Sequence, residues 1–330
     1  MHYPKLFHKS ISITFTKMSI FIRYILDYFK TEFNLWAHVF TGLFLALAIY
    51  LNYAYEIYNT LAWSHKDQFS SVYYILLLYL IAFGVTSAIV TFTKKGNNST
   101  KLPLRNKKFL LFGTIGLIFL SLDSSYYLMK FVRGTFHSNY FVSVWINSCI
   151  SNLSSFLSVI IPLYIVYYSV RYFKPEYYGL RLNGAHIKPY FWLILFMFPL
   201  IYLASFQPDF LHTYPTYNDL HEYRFLGVSQ WVTAGIYELC YGFDFLSVEL
   251  FFRGFMVIAL SKFVGKDAIL PMVAVYCFLH FGKPAGETIS SIFGGYILGI
   301  LAYKSRNIYG GLIAHLGVAW GMEYMAYLHS

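Results

Sequence analysis

Charge is what this chain has least of. Only 12% of its 330 residues are Asp, Glu, Lys or Arg, against 58% hydrophobic. A soluble domain carries about twice that charged fraction, so a water-soluble globular fold is excluded. Cysteine is nearly absent too. Cys149, Cys240 and Cys277 have no CxxC spacing; this excludes a disulfide scaffold and leaves three small core residues. No HExxH occurs, so no single helix turn offers two zinc ligands. No internal repeat is visible, which argues against a transporter built from matching halves. The N-terminal stretch has no small-residue cleavage site, and Lys17 and Arg23 interrupt its apolar run. It does not read as a cleavable signal peptide.

What the chain does have is long apolar runs. They fall near 36–58, 72–92, 108–130, 143–170, 189–206, 231–260, 268–281, 287–304 and 309–328. Most are long enough to cross a bilayer; the seventh is short and reads as a tilted or half-helix supported by its neighbours. The expectation is an all-α, polytopic transmembrane bundle of about eight to nine spans. The 33 Phe and 32 Tyr suit helix packing and membrane interfaces.

The net charge of +10 points to no nucleic acid, because its distribution follows the membrane. Basic residues cluster in the N-terminal arm (Lys5, Lys9, Lys17, Arg23, Lys30), after the second span (Lys94 to Lys108) and after the fourth (Arg171, Lys174, Arg181, Lys188). The intervening loop with Asp209, Asp219 and Glu222 is acidic. This positive-inside pattern predicts a cytoplasmic N-terminus. Three regions are expected: a cytoplasmic amphipathic arm over 1–35, N-terminal transmembrane helices over 36–175, and a region over 176–330 that holds nearly all the buried ionisable groups. The arm reads as a helix over 10–33 lying on the leaflet. The loop 207–227 is long enough to fold over one face of the bundle. Ser291, Gly295 and Gly299, and again Gly317 and Gly321, stand four apart and predict close helix packing.

The polar residues in the last region carry the chemistry. Glu249 and Arg253 sit inside a long apolar run, where each charge costs ~2.5–3.5 kcal/mol on insertion scales. Four residues apart, they share a helix face and can neutralise each other. His280 and His315 follow in later apolar segments. A glutamate and two histidines could form a metal site with an open position for water. They could equally work without metal, with glutamate as base and histidine donating to an oxyanion. Glu287 and Glu323 are further candidates for the same site; Asp244 and Glu238 are weaker ones. Glu249 could also be no more than a structural partner of Arg253.

Four segments in order carry a resemblance: Glu249-Leu-Phe-Phe-Arg253-Gly254, Tyr276-x-x-x-His280, Phe293-x-x-Gly-x-x-Leu-Gly299 and Gly310-Gly311-x-x-x-His315. Together they resemble the CPBP family, which comprises type II CAAX prenyl proteases and bacteriocin-processing (Abi) enzymes. The resemblance covers residues 177–330. It implies a helical intramembrane endopeptidase with a polar cavity. The family's leading water-activating glutamate falls on Val248 and its second glutamate on Glu249. Tyr276 replaces a phenylalanine, and Ala319 stands where a polar residue is expected. Two functional positions have therefore lost their chemistry.

Two readings follow. In the first, the protein is an intramembrane (metallo)endopeptidase that cleaves membrane-associated or lipidated substrates. Glu249 activates water, His280 assists as base partner or ligand, His315 stabilises the oxyanion or holds metal, and Arg253 orients Glu249. Zinc on Glu249, His280 and His315, or no metal at all, are both open. In the second, the chain is a catalytically inactive CPBP-like scaffold that binds a partner protein. Residue usage rich in Tyr, Phe, Ile, Asn and Lys points to a bacterium and hence to its inner membrane. The expected partners are the lipid bilayer and a membrane-associated peptide or protein substrate.

Overall fold

The structure is a computed structural model that describes residues 20–66, 68–94, 101–132, 139–170, 173, 176–181 and 187–329. Lys5, Lys9 and Lys17 of the predicted arm, Lys95, Arg171 and Lys174 lie outside these residues. Among the described residues every regular element is helical. The helices that matter for the site are α1 (Ile20–Thr31), α2 (Leu35–Tyr55), α3 (Phe69–Thr93), α4 (Lys107–Ser124) and α5 (Tyr140–Ser169). They are followed by α6 (Lys188–Ala204), α7 (Gln230–Glu249), α8 (Ile269–Leu279), α9 (Ala285–Ser305) and α10 (Tyr309–His329).

By length and apolarity α2, α3, α5 and α9 can each cross a bilayer. The chain is an integral membrane protein. The other predicted spans correspond to α4, α6, α7, α8 and α10, which are shorter or carry polar side chains. The count of eight to nine spans depends on these.

The core lies at the junction of α7 and α8. Beyond Glu249, α7 continues as a π-wound stretch, Leu250–Ala259, in which every residue is buried. Such wide turns are rare and gather at functional sites. Ile269 to Phe278 of α8 are likewise all buried. Around this centre pack residues from the first half of the chain, including Ile75, Phe83, Phe109, Leu117 and Leu163. One apolar core is thus drawn from both halves of the sequence.

The short α8 is explained by what surrounds it. Its 11 residues span only ~16 Å at 1.5 Å per residue, about half of a bilayer core. Backbone released at that depth must be satisfied by protein, and here it is. Thr288 Oγ1 donates to the His280 carbonyl at 2.6 Å. Asn52 Nδ2 donates to Phe281 O at 3.0 Å, and the Tyr53 hydroxyl to Lys283 O at 2.6 Å. The end of α2 therefore clasps the α8–α9 turn.

The small-residue faces are packing faces. A side chain at Gly295 would meet the Tyr276 ring, and one at Gly299 would meet Met272. The Gly317 face receives Ile194 of α6. Helix α1 lies along α9, held by Lys304 to Asp27 (2.7 Å) and Glu32 (2.5 Å), with Ile22, Leu26 and Phe29 left exposed. At the same end Lys94 binds Asp267 at 2.5 Å.

Candidate active site

Helix α7 presents Glu238, Tyr241, Phe245 and Glu249 at helical spacing, so all four fall along one stripe. Opposite, α10 presents His315 and Glu323, two turns apart. The α8–α9 hairpin adds Tyr276, His280 and Glu287. The result is a polar column inside an apolar bundle, with two layers.

The deep layer is built on Glu249, which is fully buried. Its Oε1 lies 3.0 Å from Arg253 Nη1 and 3.1 Å from His315 Nδ1. Its Oε2 has no partner among the described residues. Gly311 makes room for that oxygen: a Cβ there would stand 2.5 Å from Oε2. Arg253, 1% exposed, meets the carboxylate as an ion pair rather than an aligned hydrogen bond, and its other charge contact is the Tyr276 ring, 4.5 Å from the guanidinium carbon to the centroid. A buried ion pair of this kind is costly unless both partners are compensated; the aromatic face supplies part of that compensation.

His315 is held on three sides. Nδ1 faces Glu249, Nε2 lies 3.2 Å from the Tyr276 hydroxyl, and Phe245 packs on its ring at 4.5 Å between centroids. Tyr276 also meets the His280 ring edge to face at 4.6 Å. His280 Nδ1 donates to the Tyr276 carbonyl at 2.8 Å, and Nε2 has no hydrogen-bond partner among the described residues. Glu249 and His315 are therefore in direct contact, while His280 reaches them only through Tyr276. Among the described residues no three His, Cys, Asp or Glu side chains converge in a metal-holding group.

The shallow layer belongs to the loop. Residues 207–229 fold over this end of the bundle, as their length predicts. Glu323 accepts from Thr216 N–H at 2.8 Å and from its hydroxyl at 2.8 Å. Glu287 Oε2 accepts from the Tyr214 hydroxyl at 2.9 Å, and Lys283 Nζ reaches that hydroxyl at 3.4 Å. Neither acid is hydrogen-bonded to Glu249, His280 or His315 among the described residues. Glu238 Oε2 is buried without a partner among the described residues. Asp244 lies off this stripe, beside Ser155 and Asp123, where Ser158 donates to Asp123 at 2.5 Å.

The roof itself is pinned by Glu222. Burial works against its charge, but hydrogen bonds from the Tyr217 hydroxyl (2.6 Å) and Leu220 N–H (3.2 Å) outweigh it, and the carboxyl is held below the ordinary value of 4.5.

Two contributions were not legible in the sequence. Tyr276 registers there as a substituted phenylalanine, one of many aromatics, with nothing to announce its hydrogen bond. Tyr214 and Thr216 lie in a loop whose landing points no periodicity predicts.

Residues 220–321 match the family described as Type II CAAX prenyl endopeptidase Rce1-like. No curated protein and no solved structure matches the chain. The matched segment runs from the roof through α7 to α10 and contains Glu249, Arg253, Tyr276, His280 and His315, so the part of the chain that is similar to the Rce1-like family is the part that builds the deep polar layer.

Proposed function

We propose that the protein is an intramembrane endopeptidase that hydrolyses peptide bonds of membrane-associated or lipidated substrates with a Glu249–His315 pair. The observation that carries this reading is the buried carboxylate–imidazole contact at 3.1 Å, with a free carboxylate oxygen beside it. A charged pair is expensive in this setting and serves a purpose. A carboxylate on Nδ1 fixes the imidazole tautomer and leaves Nε2 as its accepting nitrogen. The imidazole takes a proton as water attacks the peptide carbonyl, the carboxylate balances the imidazolium, and the proton passes to the leaving amine as the C–N bond breaks. His280, one aromatic ring away from the pair, orients water or steadies the developing oxyanion.

Zinc does not fit these side chains as they stand. His280 and the Glu249–His315 pair are separated by Tyr276, and their donor atoms do not meet at one point. The mechanism above passes through protein groups alone.

The charge pattern supports a cytoplasmic N-terminus with the acidic roof on the other face, and residue usage supports a bacterial inner membrane. The family match supports prenylated or otherwise lipid-anchored peptides as the substrate class. The test is cleavage of a fluorescence-quenched, lipid-anchored peptide by the purified protein in vesicles. Glu249→Gln and His315→Ala are expected to lower kcat by roughly 10²–10⁴-fold, and His280→Ala by about ten-fold or more. Unchanged turnover in all three would end the assignment. A wild-type protein that folds, binds such peptides and cleaves none would favour the non-catalytic scaffold.

A further inference from the structure

We infer that the Tyr276 hydroxyl is a catalytic residue: it passes the proton between the reacting water and the Glu249–His315 pair. The inference rests on the endopeptidase reading and adds a further group to it.

Four observations support it. First, the partners fix the direction of the hydrogen bonds. Glu249 Oε1 is an acceptor only, so His315 Nδ1 donates to it at 3.1 Å. In the neutral imidazole Nε2 is then the acceptor, and the Tyr276 hydroxyl, 3.2 Å away, donates to it. Carboxylate, imidazole and hydroxyl thus stand in an unbroken donor–acceptor chain, the arrangement that raises the nucleophilic and basic power of a hydroxyl oxygen. Second, this contact takes up His315 Nε2, so a water reaches the imidazole only by displacing Tyr276 or by working through it. Third, the guanidinium of Arg253 faces the Tyr276 ring at 4.5 Å and helps to hold the ring in place. Fourth, the ring is fixed between two imidazoles, 4.6 Å from His280 and 6.2 Å from His315, with Gly295 leaving its edge the space it occupies. Val248 cannot accept a proton, whereas the tyrosine oxygen, 3.2 Å from His315 Nε2, can.

The step balances. The phenolic proton moves to His315 Nε2 as the tyrosine oxygen takes a proton from water. The water oxygen bonds to the carbonyl carbon, whose π electrons move to its oxygen. On collapse the C–N bond breaks. The imidazolium returns its proton through the tyrosine oxygen to the leaving nitrogen, and Glu249 stays ionised throughout.

The experiment compares wild type with Tyr276→Phe in vesicles, using the same quenched, lipid-anchored peptide. Tyr276→Phe keeps the ring, the stacking and the contact with Arg253, and removes only the O–H. The expected result is a fall in kcat of about 10²–10⁴-fold with KM changed less than about three-fold. In parallel, ¹⁵N spectra of labelled His315 are expected to move at Nε2 and not at Nδ1. Tyr276→Leu, which removes the ring as well, reports the packing contribution through its thermal unfolding. Turnover of Tyr276→Phe within two-fold of wild type, or an unmoved Nε2 resonance, overturns the relay and leaves the endopeptidase assignment standing. A wild type that cleaves nothing overturns the assignment, and the relay with it.

Discussion

Gly311 is the smallest side chain beside the site and one of the least replaceable. A methyl group there would press on Glu249 Oε2 from 2.5 Å, and the carboxylate has nowhere to retreat because Oε1 is shared between Arg253 and His315. Gly311→Ala is expected to cut peptide cleavage at least ten-fold and to cost ~1–3 kcal/mol by overpacking, read from turnover and thermal unfolding. Arg253→Met acts differently. It strands a buried carboxylate, and ~3–5 kcal/mol of destabilisation is expected, larger than for the double change Glu249→Gln with Arg253→Met. At this scale Glu249, Arg253 and His315 were legible because an ionisable group in an apolar run is costly and stands out from its neighbours. The partnership was less so: the sequence offers His280 and His315 on equal terms, and only packing brings His315 to the carboxylate and sets His280 one aromatic ring away.

Helix α8 is too short to cross a bilayer, a fact visible in the sequence, but the reason it survives is not. The clasp by Asn52 and Tyr53 comes from more than two hundred residues upstream, and side-chain hydrogen bonds across that separation leave no local pattern. Asn52 works twice, since its Oδ1 also accepts from Tyr58 N–H at 3.0 Å. Asn52→Ala leaves a buried carbonyl and a buried amide unsatisfied, each worth ~1–3 kcal/mol. The expected outcome is a lower unfolding temperature, with faster hydrogen exchange confined first to residues 280–285. The glycine stripes on α9 and α10 were legible as packing faces, because spacing alone sets which side a helical residue occupies.

At the scale of the molecule, composition announces a helical membrane protein, and loop charge carries the expectation of a cytoplasmic N-terminus. The roof over the polar column is beyond both. That a loop folds back can be read from its length, but not that Tyr214 meets Glu287 or that Thr216 meets Glu323. The roof carries its own pH response. The Glu222 carboxyl is held below 4.5 in the folded roof, so its stabilisation is complete above about 4.5 and is lost as pH falls through the lower, folded value. Limited proteolysis near the exposed Phe225 and Leu226 is expected to speed up over that acidic window, and Glu222→Gln to flatten the change. The two halves of the chain also depend on each other through their shared core. Residues 176–330 produced alone would uncover Phe251, Phe255 and Val273, which in the full chain are at most 1% exposed, and are expected not to accumulate in membranes unless 20–170 is supplied in trans.

The π-wound stretch after Glu249 makes the site sensitive to chain length as well as to side chains. Each residue advances an ordinary helix by about 100°. Removing one residue between Leu250 and Ala259 would let that stretch relax to α winding while swinging Arg253 and Glu249 out of alignment. Single-residue deletions here should therefore abolish turnover in protein that still inserts.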